Sequence, residues 1–234
     1  MSASRDTSSS KANAYYLRQI GVVTPLPEAG GNKSVCREPE PASINQGTNL
    51  GELARQAASC TACPLTKGRT QVVFGVGNPH ADLVFIGEAP GRDEDIKGEP
   101  FVGRAGKLLD KMLAALSLDR GDIYIMNVVK CRPPQNRDPK PEEVQACQTW
   151  FDAQWQAISP KLVCLLGRVA AQNVLETDAP LASLRGRWHE RNGVPVWVTY
   201  HPAYLLRSPQ QKQRSWDDLR ELARKYRSLT GNSP

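Results

Sequence analysis

The sequence predicts an α/β fold, with a mainly parallel sheet of four strands covered by helices on both faces. Three observations carry this. Short, wholly apolar runs at residues 83–86 and 162–166 read as strands buried on both sides. They alternate with segments of helical spacing, the order expected when crossover helices join parallel strands. With 234 residues, the chain suffices for one domain of this kind and is too short for a large multidomain machine.

Taken in order, residues 1–48 are rich in Ser, Pro, Gly, Asn and Glu, and their one apolar patch, 15–23, is too small for a core. They are expected to form a tail whose patch docks on the domain, recruits another protein, or has no role. The domain is expected at 49–229, followed by a short tail at 230–234. Its first strand is 82–87. A glycine-rich run then leads to a helix at 107–116, apolar at Leu108, Leu109, Met112, Leu113 and Leu116. A second strand spans 122–129. Pro141, followed by Glu142 and Glu143, suits a helix first turn and opens a helix to about residue 157. A third strand at 161–167 precedes a helix at 168–175, a fourth strand lies at 194–200, and a helix at 215–229 closes the chain. Functional loops are expected at the carboxyl ends of the strands, after Ile86, Val128, Leu166 and Thr199.

Hydrophobic residues make up 40% of the chain, an ordinary share for a globular protein that argues against wholesale disorder. No apolar stretch approaches the roughly 18 residues needed to cross a bilayer, and the N-terminus lacks an apolar signal region, so a cytoplasmic location is expected. Nothing in the pattern demands a dimer, so a monomer is expected. The net charge is +6, with ten basic and four acidic residues in 185–234. Such a segment suits a polyanionic partner or a solvated helix face, and charge alone does not choose between them.

Six cysteines in a chain expected in a reducing compartment point to metal or cofactor binding before disulfides. Cys60 and Cys63 have the two-residue spacing that turns two thiolates toward one centre. Cys131, just past a strand, and Cys147, on the next helix, complete a set of four if that helix folds back. Four thiolates suit tetrahedral zinc and a four-iron cluster alike. Cys164 sits in an apolar strand and reads as core, whereas Cys36 lies in the tail with no evident partner.

Three strand ends carry unusual chemistry. The first is followed by Gly87-Glu88-Ala89-Pro90-Gly91 and by the run from Gly98 to Gly106 with Phe101 inside it, a loop that permits close backbone approach to a ligand. The second ends near Asn127, before a polar, proline-rich loop. The fourth is followed by His201-Pro202-Ala203-Tyr204-Leu205-Leu206-Arg207. An aromatic ring, an amide and an imidazole are the parts needed to stack on, read and protonate a planar heterocycle. Singly, Phe101 also reads as core, Asn127 as a turn residue and His201 as a helix cap.

Together these motifs resemble the family 4, iron-sulfur type uracil-DNA glycosylases over roughly residues 49–227. The resemblance implies a three-layer αβα fold around a short parallel sheet. It further implies a four-iron, four-sulfur (4Fe-4S) cluster on Cys60, Cys63, Cys131 and Cys147, and uracil-containing single- or double-stranded DNA as substrate. By family position, Phe101 stacks on a flipped uracil beside Ala89, Asn127 binds its N3 and O4 edge, and His201 reaches O2. Leu205 fills the gap left in the DNA, and Arg207, Lys212 and Arg214 lie near phosphates. Ala89 stands where better-known uracil-DNA glycosylases carry a water-orienting aspartate, which leaves Glu88 and Glu94 as the acidic candidates. A cross-linking relative with a nucleophilic histidine is disfavoured, because no histidine occurs between His80 and His189. A non-catalytic DNA-binding module or an electron-transfer protein would have no use for Phe101, Asn127 and His201 together.

Overall fold

The computed structural model describes residues 49–231; the expected N-terminal tail, its patch at 15–23, Cys36 and residues 232–234 lie outside the described residues. The sheet has six strands rather than four: β1 (Val76–Gly77), β2 (Leu83–Gly87), β3 (Tyr124–Asn127), β4 (Leu162–Leu166), β5 (His189–Arg191) and β6 (Val194–Thr199). Their order is β1-β3-β2-β4-β6-β5. The four expected strands form the parallel centre, and β1 and β5 are antiparallel additions at its edges. With only two residues, β1 shows no periodicity in sequence. β5 reaches β6 through Asn192-Gly193, both at positive φ (52° and 77°), the backbone that a two-residue hairpin turn requires.

The central strands β2 and β4 are buried at every position because both faces of the sheet are covered. Leu83, Phe85, Ile125, Leu162, Cys164 and Trp197 face α3 (Arg104–Ala114) and α8 (Lys212–Thr230), which contribute Leu109, Met112, Trp216 and Leu219. Val84, Ile86, Met126, Val163, Leu165 and Val198 face α1 (Asn49–Ala58), α4 (Pro141–Ile158) and α5 (Arg168–Val174), which contribute Ala57, Phe151, Trp155 and Ala170. This is the expected three-layer αβα sandwich, and Cys164 is core as its apolar strand implied. α8 starts three residues earlier than predicted, because the 3-10 turn Pro209–Gln211 runs directly into it.

The remaining α-helices of the described residues are short: α2 (Arg92–Lys97), α6 (Leu181–Leu184) and α7 (Pro202–Arg207). α2 and α7 lie inside stretches that read as loops in sequence. Among the described residues no helix is long and apolar enough to cross a membrane. Pairing of Ile86 with Met126, Gly87 with Asn127, and Leu166 with Thr199 brings the strands' carboxyl ends side by side. A cleft opens there.

Candidate active site

The cleft has a volume of about 410 Å³, and Glu88, Ala89, Phe101, Asn127, Asp138 and His201 are among the residues lining it. That volume suits a small planar ligand. It gathers side chains from the ends of β2, β3 and β6 and from the loops that follow, so the three strand ends singled out in sequence form one site.

Phe101 is buried, as its core reading expects, and also lines the cleft. It sits at φ 58°, an uncommon conformation for a bulky residue. Arg120 fixes it there by donating from Nη1 to Pro100 O (3.0 Å) and from Nη2 to Phe101 O. Its ring stacks on His201 at 5.5 Å between centroids and 30° between planes. Gly87 makes room for this arrangement: a Cβ there would lie 2.4 Å from Asn127 Oδ1 and 2.7 Å from the tip of the Phe101 ring.

Asn127 ends β3 and is 2% exposed, yet its Oδ1 has no hydrogen-bond partner among the described residues. An orphaned buried acceptor is costly unless a ligand satisfies it. His201 is the N-cap of α7, as its alternative reading had it, and its Nδ1 accepts the Ala203 N–H at 3.1 Å. Because Nδ1 accepts, the ring proton of the neutral imidazole sits on Nε2. Desolvation in the cleft pulls the His201 pKa down to about 4, with the nearby Arg207 charge adding to the effect, so the ring is neutral near pH 7.

The two acidic candidates separate. Glu94 accepts backbone N–H groups from Gly91 (3.1 Å), Val102 (2.9 Å) and Gly103 (3.0 Å). With both oxygens engaged, it binds the two halves of the glycine-rich loop together. Glu88 is half-buried on the cleft wall, and its pKa is raised to about 7, mainly by desolvation and then by the Asp138 carboxylate, while Arg168 opposes the rise. Asp138 is ion-paired with Arg168, and Arg137 grips Glu143 through two bonds of 2.8 and 2.7 Å. Arg137, Asp138 and Arg168 had no distinguishing signal in sequence beyond a polar loop and a helix start.

Leu205, expected to enter DNA, lies on the inner face of α7 and is fully buried in the core, whereas the adjacent Leu206 is 40% exposed. Arg207 and Arg214 are exposed, but Lys212 is largely buried.

Beyond the end of β3, Cys60, Cys63, Cys131 and Cys147 line one cavity of about 20 Å³ together with Arg69 and Lys130. Arg69 Nη1 donates to Cys131 Sγ (3.2 Å), and the Lys130 N–H donates to Cys147 Sγ (3.4 Å). Four thiols and two N–H···S donors fit a thiolate-held group. Among the described residues no three His, Cys, Asp or Glu side chains are arranged to hold a single metal ion.

A sequence model of the Uracil DNA glycosylase superfamily matches residues 74–220, well over half of the chain. The chain belongs to that superfamily. Within it, the chain is 46% identical over 184 residues to a type-4 uracil-DNA glycosylase of Archaeoglobus fulgidus, covering 74% of this chain and 92% of the relative. It is 40% identical over 187 residues to the type-4 enzyme of Sulfurisphaera tokodaii (75% and 85% covered) and 43% identical over 166 residues to that of Thermotoga maritima (69% and 85%). The superfamily match spans the cleft and two of the four cysteines, and the motif resemblance read from the sequence points to the same family.

Proposed function

We propose that this chain is a DNA repair glycosylase, built as one catalytic domain over residues 49–229, that flips uracil out of DNA and hydrolyses its N-glycosidic bond. The products are free uracil and an abasic site. The observation that carries this reading is the orphaned Asn127 Oδ1 in a cleft roofed by the Phe101–His201 stack. Asn127 accepts from uracil N3–H and donates from its amide nitrogen to O4. Cytosine presents a donor at its exocyclic nitrogen and no N3 proton, so both bonds would be misdirected and buried groups left unpaired. Extrusion costs a few kcal/mol of pairing and stacking, and contact with the Phe101 ring offsets part of it.

Cleavage leaves negative charge on the departing base. The Nε2–H of neutral His201 is directed at uracil O2, where that charge collects, and its interaction strengthens as the bond breaks. Glu88, next to Asp138, orients the attacking water and takes its proton; Glu94 serves the loop and leaves that task to Glu88. Arg207 and Arg214 meet phosphates, and Leu206 is the apolar tip that fills the gap left by the base.

The four cysteines line one cavity and would hold an iron-sulfur cluster; the choice of iron over zinc rests on the resemblance to the family 4 enzymes, since four thiolates suit either. When bound, the cluster acts structurally, tying the segment after α1 to the end of β3 and to α4. The function is tested by incubating the protein with single- and double-stranded oligonucleotides carrying one uracil. Free uracil and an alkali-labile abasic site are expected, and intact oligonucleotide in both cases would contradict the proposal.

A further inference from the structure

We propose that Lys130 is a positioning residue for base recognition, its ammonium gripping the backbone carbonyl of Asn127 and so fixing the direction in which the Asn127 amide enters the cleft. This rests on the reading of Asn127 as the uracil reader. Lys130 is 2% exposed, and its Nζ donates to Asn127 O at 2.7 Å. The same nitrogen lies 5.9 Å from the Phe74 ring centroid and 5.7 Å from that of Phe151. Among the described residues no carboxylate pairs with it.

Lysine is almost never buried in this way without a paired charge. A methionine would fill the space between Phe74 and Phe151 without desolvating an ammonium, so packing gives no reason for the amine. What the amine adds is the bond to Asn127, together with a positive charge beside Cys147 and Cys131. That bond closes the turn by which the chain leaves β3, from Asn127 through Val128 and Val129 to Lys130. The far end of the turn is itself fixed, because the Lys130 N–H donates to Cys147 Sγ (3.4 Å) and its carbonyl accepts from Val73 N–H (2.8 Å). The cysteine cavity and the base cleft therefore share one short stretch of backbone. Small displacements matter there, because a shift of about 1 Å in a positioning group costs up to about 10²-fold in rate.

The test compares Lys130→Met and Lys130→Gln with the parent protein in iron content, affinity for free uracil, and single-turnover release of uracil from an oligonucleotide. Iron content is expected to stay at the parental level, while uracil affinity and excision rate fall about tenfold or more and affinity for uracil-free DNA is unchanged. In an Asn127→Ala background, Lys130→Met should lower the rate by less than about twofold further, since a residue acting through Asn127 has nothing left to position. Parental uracil affinity and rate in both variants would overturn the proposal. So would loss of iron in step with loss of uracil affinity in both, which would place the action of Lys130 on the cysteine site instead. Full additivity in the Asn127→Ala background would do the same. If the parent itself neither binds nor releases uracil, the reading of Asn127 fails and this inference falls with it.

Discussion

At the cleft, two ionisable groups are shifted in opposite directions. His201 is held neutral, with its pKa lowered to about 4, so its Nε2 donor is present near neutral pH. Glu88 is raised to about 7, and only its ionised form accepts a proton from water. Excision should therefore rise as pH increases through about 7 and be lost below it, with the limb belonging to Glu88. Single-turnover rates between pH 5.5 and 8.5 check this: the limb should vanish in Glu88→Gln, and a flat profile for the parent would remove Glu88 from the reaction. Asn127, Phe101 and His201 were legible in sequence because an amide, a ring and an imidazole at strand ends have few other joint uses. The partners that tune them were not. Asp138, Arg168 and Arg120 act through contacts across the fold, at sequence separations such as 30 residues for Arg168 and Asp138, and spacing carries no trace of such contacts.

At the level of elements, α7 separates two adjacent leucines. It turns Leu205 into the core and leaves Leu206 outside. Leu205→Ala should cost about 2–5 kcal/mol of stability, as buried leucine truncations do. Leu206→Ala should change stability by less than about 0.5 kcal/mol yet slow excision from duplex more than from single strands. Thermal melts paired with excision assays distinguish the two, and the opposite pattern would restore Leu205 as the wedge. Two adjacent leucines in HPAYLLR cannot be told apart by spacing until the helix's docking is known. Gly87→Ala should leave the fold intact but strongly reduce excision, since the new methyl group displaces both the Asn127 amide and the Phe101 ring; undiminished activity would show that the cleft floor yields. The central strands were readable as continuous apolar runs. β1 was too short to read, and β5 was missed although Asn192-Gly193 marks its turn.

Across the whole molecule, charge and cysteines make the remaining predictions. The purified protein should contain about four irons per chain if it binds one four-iron cluster, and one zinc without iron would contradict the cluster. Cys147→Ala should lower thermal stability, because Cys147 lies on α4 and its site links that helix to β3 and to the segment after α1. DNA affinity should fall steeply with added salt as the basic residues of 185–234 release counterions. The central claim is that the cleft stabilises uracil as a leaving group through His201. It is tested most directly by measuring single-turnover release of free uracil from a uracil-containing oligonucleotide by the parent and by His201→Ala side by side. The account predicts stoichiometric release by the parent and a rate lower by about 10²-fold or more in the variant, with DNA affinity retained; release by His201→Ala at the parental rate would contradict it.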